Sequence, residues 1–157
     1  MKSWFNSFAI LLASAASIAA ADAALPDGTL IFGTWSLTDL SCSSGTPLSG
    51  GIKIGQDNLK ITLNENHTFT QMATMAGCDI ASKGTFKLEG SILSSTMTES
   101  QNCKDASPVP MNDSKIAFVA HLDQQRTVHI VTGADAAMLC PGGDALVLTY
   151  QREPATP

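Results

Sequence analysis

The chain has 157 residues, with nine Lys and Arg against fourteen Asp and Glu and a net charge of −5. Its basic residues are scattered, which excludes a nucleic-acid face and leaves no patch for anionic lipid. Four cysteines, an even set with no Cys-x-x-Cys spacing, favour disulfides in an oxidising compartment over zinc or redox chemistry.

In chain order, Lys2, an apolar run from Phe8 to Ala21 and the small-residue motif Ala21-Asp22-Ala23 read as a secretory signal over residues 1–23. The run is short and rich in Ala and Ser, so it does not suit a bilayer anchor, and no transmembrane segment is expected after cleavage. The first cysteine is Cys42, too far on to carry a lipid. Residues 24–152 are then expected to form one domain, a periplasmic or secreted monomer. Residues 153–157, with two prolines and nothing to bury, are expected to be a disordered tail.

Between these ends, alternating runs rich in Ile, Val, Thr and Phe are separated by Gly, Asn, Asp, Pro and Ser clusters. They predict eight strands, at 30–40, 58–64, 67–75, 79–89, 91–98, 114–122, 126–132 and 144–151. Leu59, Ile61 and Leu63 share one face; so do Gly84, Phe86 and Leu88, and so do Ile116, Phe118, Ala120 and Leu122. One wet face and one buried face call for an antiparallel sheet closed on itself. The fold class is all-β, an eight-stranded up-and-down barrel stapled by disulfides.

Strands in sequential order put three tight turns, at Glu65-Asn66, Gly90 and 123–125, at one end. The other end receives the segments 41–57, 76–78, 99–113 and 133–143, three of them long, and such loops are more often functional than accidental. All four cysteines fall at that end. Closure makes the first and last strands neighbours and so favours Cys42–Cys140; the hairpin of the fourth and fifth strands favours Cys78–Cys103. The other two pairings stay open, because one rim holds all four.

Gly33-Thr34-Trp35 at the start of the first strand, with Arg152 at the end of the last, resembles the lipocalins. The resemblance implies that Trp35 packs across the closed end with Arg152 over it, a cation–π plug completed by Gly33. The chain is short for a full lipocalin and shows no helix signal near its C-terminus. It is therefore more similar to small bacterial lipocalin-like barrels, among them exported inhibitors of proteases and of lysozyme. That group shares a barrel and no single activity.

No residue set points to catalysis. There is no Gly-x-Ser-x-Gly and no His-Glu-x-x-His, and the carboxylates are dispersed. Pairing Leu122 with Val128 sets His121 opposite His129, read as a solvated pair on the outer face and not as a metal site, since a third ligand is lacking. The methionines read as core filling and loop contacts, so no metal or cofactor is expected.

Two binding functions follow, with a structural role that needs neither ligand nor specific partner as the third option. In the first, an inward face made of Leu59, Ile61, Phe69, Phe86, Phe118 and Ile130 holds a small apolar or amphipathic ligand. In the second, the barrel is a rigid scaffold whose loops inhibit an exported hydrolase through Pro108, Val109, Pro110, Met111 and Met138.

Overall fold

The computed structural model describes residues 27–49, 59–75, 78–101 and 107–154. The predicted signal segment lies outside them, as does the predicted Cys78–Cys103 bridge. Eight strands close into an antiparallel barrel in sequential order: β1 (Gly33–Cys42), β2 (Leu59–Leu63), β3 (Thr68–Met75), β4 (Cys78–Glu89), β5 (Ile92–Gln101), β6 (Val109–Leu122), β7 (Arg126–Val131) and β8 (Leu146–Arg152). Closure comes from β1 pairing with β8, from Trp35 opposite Arg152 to Cys42 opposite Leu146.

Three elements depart from the sequence reading. Residues Gly28–Ile31 form a 3-10 turn, capped by the Asp27 carboxylate accepting from the Thr29 amide at 3.1 Å, so the first strand starts only at Gly33. Strand β6 starts at Val109, so Val109, Pro110 and Met111 belong to a strand and not to a loop; Pro110 lies opposite Glu99 and Val109 opposite Ser100. A short helix, α1 (Ala134–Leu139), occupies the last connection, where turn-forming residues had predicted only a loop. Glu153, expected in a disordered tail, is tied down. Its amide donates to the Thr34 carbonyl at 2.8 Å, and its carboxylate meets Lys60 at 2.6 Å.

The closed end is built on Trp35, which is fully buried and donates its indole N–H to the Ile31 carbonyl at 2.8 Å. The guanidinium carbon of Arg152 lies 4.3 Å from the Trp35 ring centroid. Arg152 also donates to the carbonyls of Phe32, at 2.7 Å, and Leu30. One cation thereby satisfies two carbonyls of the preceding turn while covering an aromatic face. Gly33 is needed here for two reasons. Its φ is +133°, and a Cβ at this position would fall 2.6 Å from Arg152 Nη1.

Around this floor pack Ile31, Leu63, Phe69, Phe86, Leu93, Val119, Leu122 and Tyr150. At the other end a disulfide joins Cys42 to Cys140, with Cα atoms 5.6 Å apart, and Ala136 and Leu146 are buried beside it. The bridge ties the C-terminal end of α1 to the end of β1, so the helix is held against the barrel rim.

Candidate ligand cavity

The period of a strand is two, so one bulge exchanges inside for outside. This happens twice on the walls that matter most. Between Val119 and His121 the pairing of β6 with β7 shifts by one residue, giving Val119 opposite His129, His121 opposite Val128 and Leu122 opposite Thr127. The apolar set Ile116, Phe118, Ala120 and Leu122 is therefore not one stripe. Val119 and Leu122 are buried, while Ile116 is 67% and Phe118 40% exposed. A second shift, between Met97 and Glu99, precedes Asp113 and Lys115, which then face inward with Met97 and Ser95 as their partners.

The corrected register relocates both histidines. His121 forms a 2.7 Å contact with Asp123 at the hairpin and does not meet His129. Asp123 itself accepts from the amides of Gln125 and Arg126, both at 2.7 Å, and these bonds with His121 pull its carboxyl down to about 2. His129 points into the barrel, nearly fully buried, and its ring centroid lies 5.1 Å from that of Tyr150. Burial pushes its imidazole down to about 4, so the ring is neutral at neutral pH. The same burial pushes the Tyr150 phenol upward.

Inside the barrel lies a cavity of 520 Å³. Leu63, Phe69, Phe86 and Leu93 line it toward the closed end, and Leu59, Ile61, Leu146 and Leu148 line its walls. Uncharged polar groups interrupt the apolar lining at Gln71, Ser95, His129 and Tyr150. At the rim, Lys115 lies between two carboxylates, Asp135 on α1 at 2.7 Å and Asp113 at 3.4 Å. Its pKa is raised, chiefly by the hydrogen bond to Asp135. Met138 and Leu139 of α1 lean over the same opening. The strut Lys115–Asp135 and the disulfide hold α1 from both of its ends.

Of the six residues predicted to face a ligand, Leu59, Ile61, Phe69 and Phe86 line the cavity. Phe118 and Ile130 lie opposite each other on the outer face, where Phe118 also pairs with Ile92. The lumen-facing set of β7 is Thr127, His129 and Val131. It is less apolar than Val128 with Ile130, and hydrophobic weighting alone selects the wrong face. Thr127 is buried because its hydroxyl is satisfied locally, donating to the His121 carbonyl at 2.9 Å. Among the rim residues, Pro108, Val109, Pro110, Met111 and Met138 are all exposed.

The sequence reading missed His129, Tyr150, Lys115, Asp113 and Asp135. The alternation Leu146, Leu148, Tyr150, Arg152 marks the inner face of β8 and could have found Tyr150; no signal marks the bulge ahead of Asp113 and Lys115, the helix that carries Asp135, or the polar inner face that carries His129.

Among the described residues no group of His, Cys, Asp and Glu is placed to hold a metal ion. Nor is any helix among them long and apolar enough to cross a membrane. No family model matches the chain, and no curated protein matches it. Among solved structures it is similar to a lipocalin-like protein from Bacteroides uniformis ATCC 8492. The two are 14% identical, with a TM-score of 0.51 over 79% of this chain and 99% of that one. At that identity the likeness concerns the fold.

Proposed function

From a lipocalin-like barrel with one plugged end and a hollow lumen, we propose that this is an exported binding protein, not an enzyme, that holds a small apolar or amphipathic molecule inside the barrel. The observation that carries this reading is the cavity itself. Its 520 Å³ lies in the range of small-molecule sites, and its lining is largely aliphatic and aromatic with a few polar groups. A barrel serving only as a scaffold gains stability by filling that space, since an unfilled lumen forfeits contacts on every lining side chain. Export agrees with the Cys42–Cys140 bridge and with the apolar leader ahead of the barrel.

The test is a fluorescence titration with N-phenyl-1-naphthylamine, an uncharged probe that brightens in apolar surroundings. Saturable binding that Ile61→Trp and Phe86→Trp both abolish, in folded variants, is the expected result. Binding unaffected by either substitution would place the probe elsewhere and overturn the reading.

A second reading, inhibition of an exported hydrolase by the rim, is favoured by one observation. Val109 and Met111 on β6 and Met138 on α1 are exposed apolar side chains at 49%, 41% and 75%, and the Lys115–Asp135 pair joins the two elements that carry them. Val109→Asp should abolish such inhibition and leave probe binding unchanged.

A further inference from the structure

We propose that the cavity selects an uncharged amphiphile, an apolar body bearing a hydroxyl group, and that the His129 imidazole receives that hydroxyl. This rests on the reading of the lumen as a ligand site and adds the chemistry of the ligand.

The starting point is an unmet polar group. Two buried side-chain atoms of the described residues lack a hydrogen-bond partner, Arg152 Nε beneath the floor and His129 Nε2, and only His129 lines the cavity. Thr127 spends its hydroxyl on a backbone carbonyl, but His129 Nε2 has no hydrogen-bond partner. The strands around it offer none. Val119 lies opposite on β6, Leu148 opposite on β8, and the nearest ring is that of Tyr150. An orphan of this kind is destabilising, a cost that leucine at the same position avoids. The imidazole lines the cavity but its Nε2 is covered, so a ligand hydroxyl pairs with that nitrogen on a turn of the ring toward the lumen.

Charge narrows the class. The guanidinium of Arg152 is committed to Trp35 and two carbonyls beneath the floor. Lys115 is held by Asp113 and Asp135, so this rim cluster carries one net negative charge. A carboxylate seated deep would need an imidazolium that burial opposes, and one left at the rim would face two aspartates. A cationic head seated deep would find no carboxylate among the lining residues below the rim. A hydroxyl both donates and accepts, so it matches the neutral imidazole in either tautomer.

The experiment displaces bound N-phenyl-1-naphthylamine from the purified protein with four ten-carbon compounds. These are 1-decanol, its methyl ether, decanoate and decyltrimethylammonium. Decanol is expected to displace at about five- to tenfold lower concentration than its ether, the value of one hydrogen bond, and ahead of both ions. His129→Leu should erase that preference, so that alcohol and ether displace the probe at equal concentrations whatever the variant's own probe affinity, and His129→Gln, which keeps a donor and an acceptor, should retain part of it. Imidazole NMR should show one histidine shifting with decanol in the wild type and none in His129→Leu. Equal displacement by alcohol and ether, a preference surviving in His129→Leu, or an ion that outcompetes decanol would each overturn the proposal. If the probe binds and these patterns fail, only the hydroxyl assignment falls. If the probe does not bind at all, the lumen reading falls with it.

Discussion

The rings of His129 and Tyr150 lie 5.1 Å apart inside the barrel, on adjacent strands and within an otherwise aliphatic wall. Burial holds the imidazole at about 4, against about 6.5 for a histidine in an unfolded chain. The unfolded chain therefore takes up a proton at this site as pH falls below 6.5, and the folded protein does not until about 4. Stability from this group is complete above pH 6.5 and is lost through that window as pH falls, on the order of 2–3 kcal/mol by pH 4.5. Urea midpoints at pH 7.5 and 4.5 should drop more for the wild type than for His129→Leu. An equal drop in both would show that His129 does not carry the effect.

The outward placement of Phe118 has an energetic signature. Phe118→Ala removes a half-exposed ring that touches neighbours on the sheet surface, and should cost under about 1 kcal/mol. Phe69→Ala removes a buried ring from the floor of the lumen and should cost about 3–5 kcal/mol. Thermal unfolding of the two variants distinguishes them; comparable losses would mean that both rings are core.

Gly84 on β4 marks a place where strand and lumen are too close for any side chain. A Cβ there would press on the Thr96 carbonyl oxygen, 2.8 Å from a ring carbon of Phe69 and 2.9 Å from the Met97 Cα. Two of those atoms are backbone and cannot rotate away. Gly84→Ala should cost about 3 kcal/mol or more, while Gly28→Ala, whose Cβ meets only Leu88 at 3.9 Å, should change stability by less than about 0.5 kcal/mol. Circular-dichroism melts of both would check it, and a stable Gly84→Ala protein would refute the crowding.

The Cys42–Cys140 bridge spans 98 residues. Replacing both cysteines by alanine should lower stability by about 4.7 kcal/mol on the chain-entropy model. Reduction should also loosen α1 before the sheet, because Cys140 directly follows the helix. Hydrogen exchange with and without reductant should show residues 134–140 losing protection while β3 and β4 keep theirs. Unchanged exchange there would mean that the Lys115–Asp135 contact and the burial of Ala136 hold the helix unaided.

Strand number, order and closure were legible because alternation and turn chemistry agree along most of the chain. Leu59-Lys60-Ile61-Thr62-Leu63 reads in only one way, and the short turns fix which end is plain. The Gly33–Trp35–Arg152 plug was legible through a motif whose geometry demands those residue types. What was not legible on the lumen walls has two causes. A bulge adds one residue and leaves no mark in composition, so between the two bulges of β6 Ile116 and Phe118 were assigned to the inner face that Lys115 and Val119 hold. Hydrophobicity then compounded the error, because a wall that lines a cavity is less apolar than one that fills a core. His129 and Lys115 look like surface residues to any rule that equates inside with greasy.

The closed end has a consequence for how the molecule is made. Its components come from opposite ends of the barrel sequence: Arg152 reaches back across 120 positions to Phe32. The early hairpins can pair on their own, yet the barrel has neither seam nor floor until its final strand joins. A product that lacks β8 has no strand to close against β1 and no guanidinium to cover the Trp35 indole. The stopper goes in last, and closure of the barrel waits on the strand that carries it.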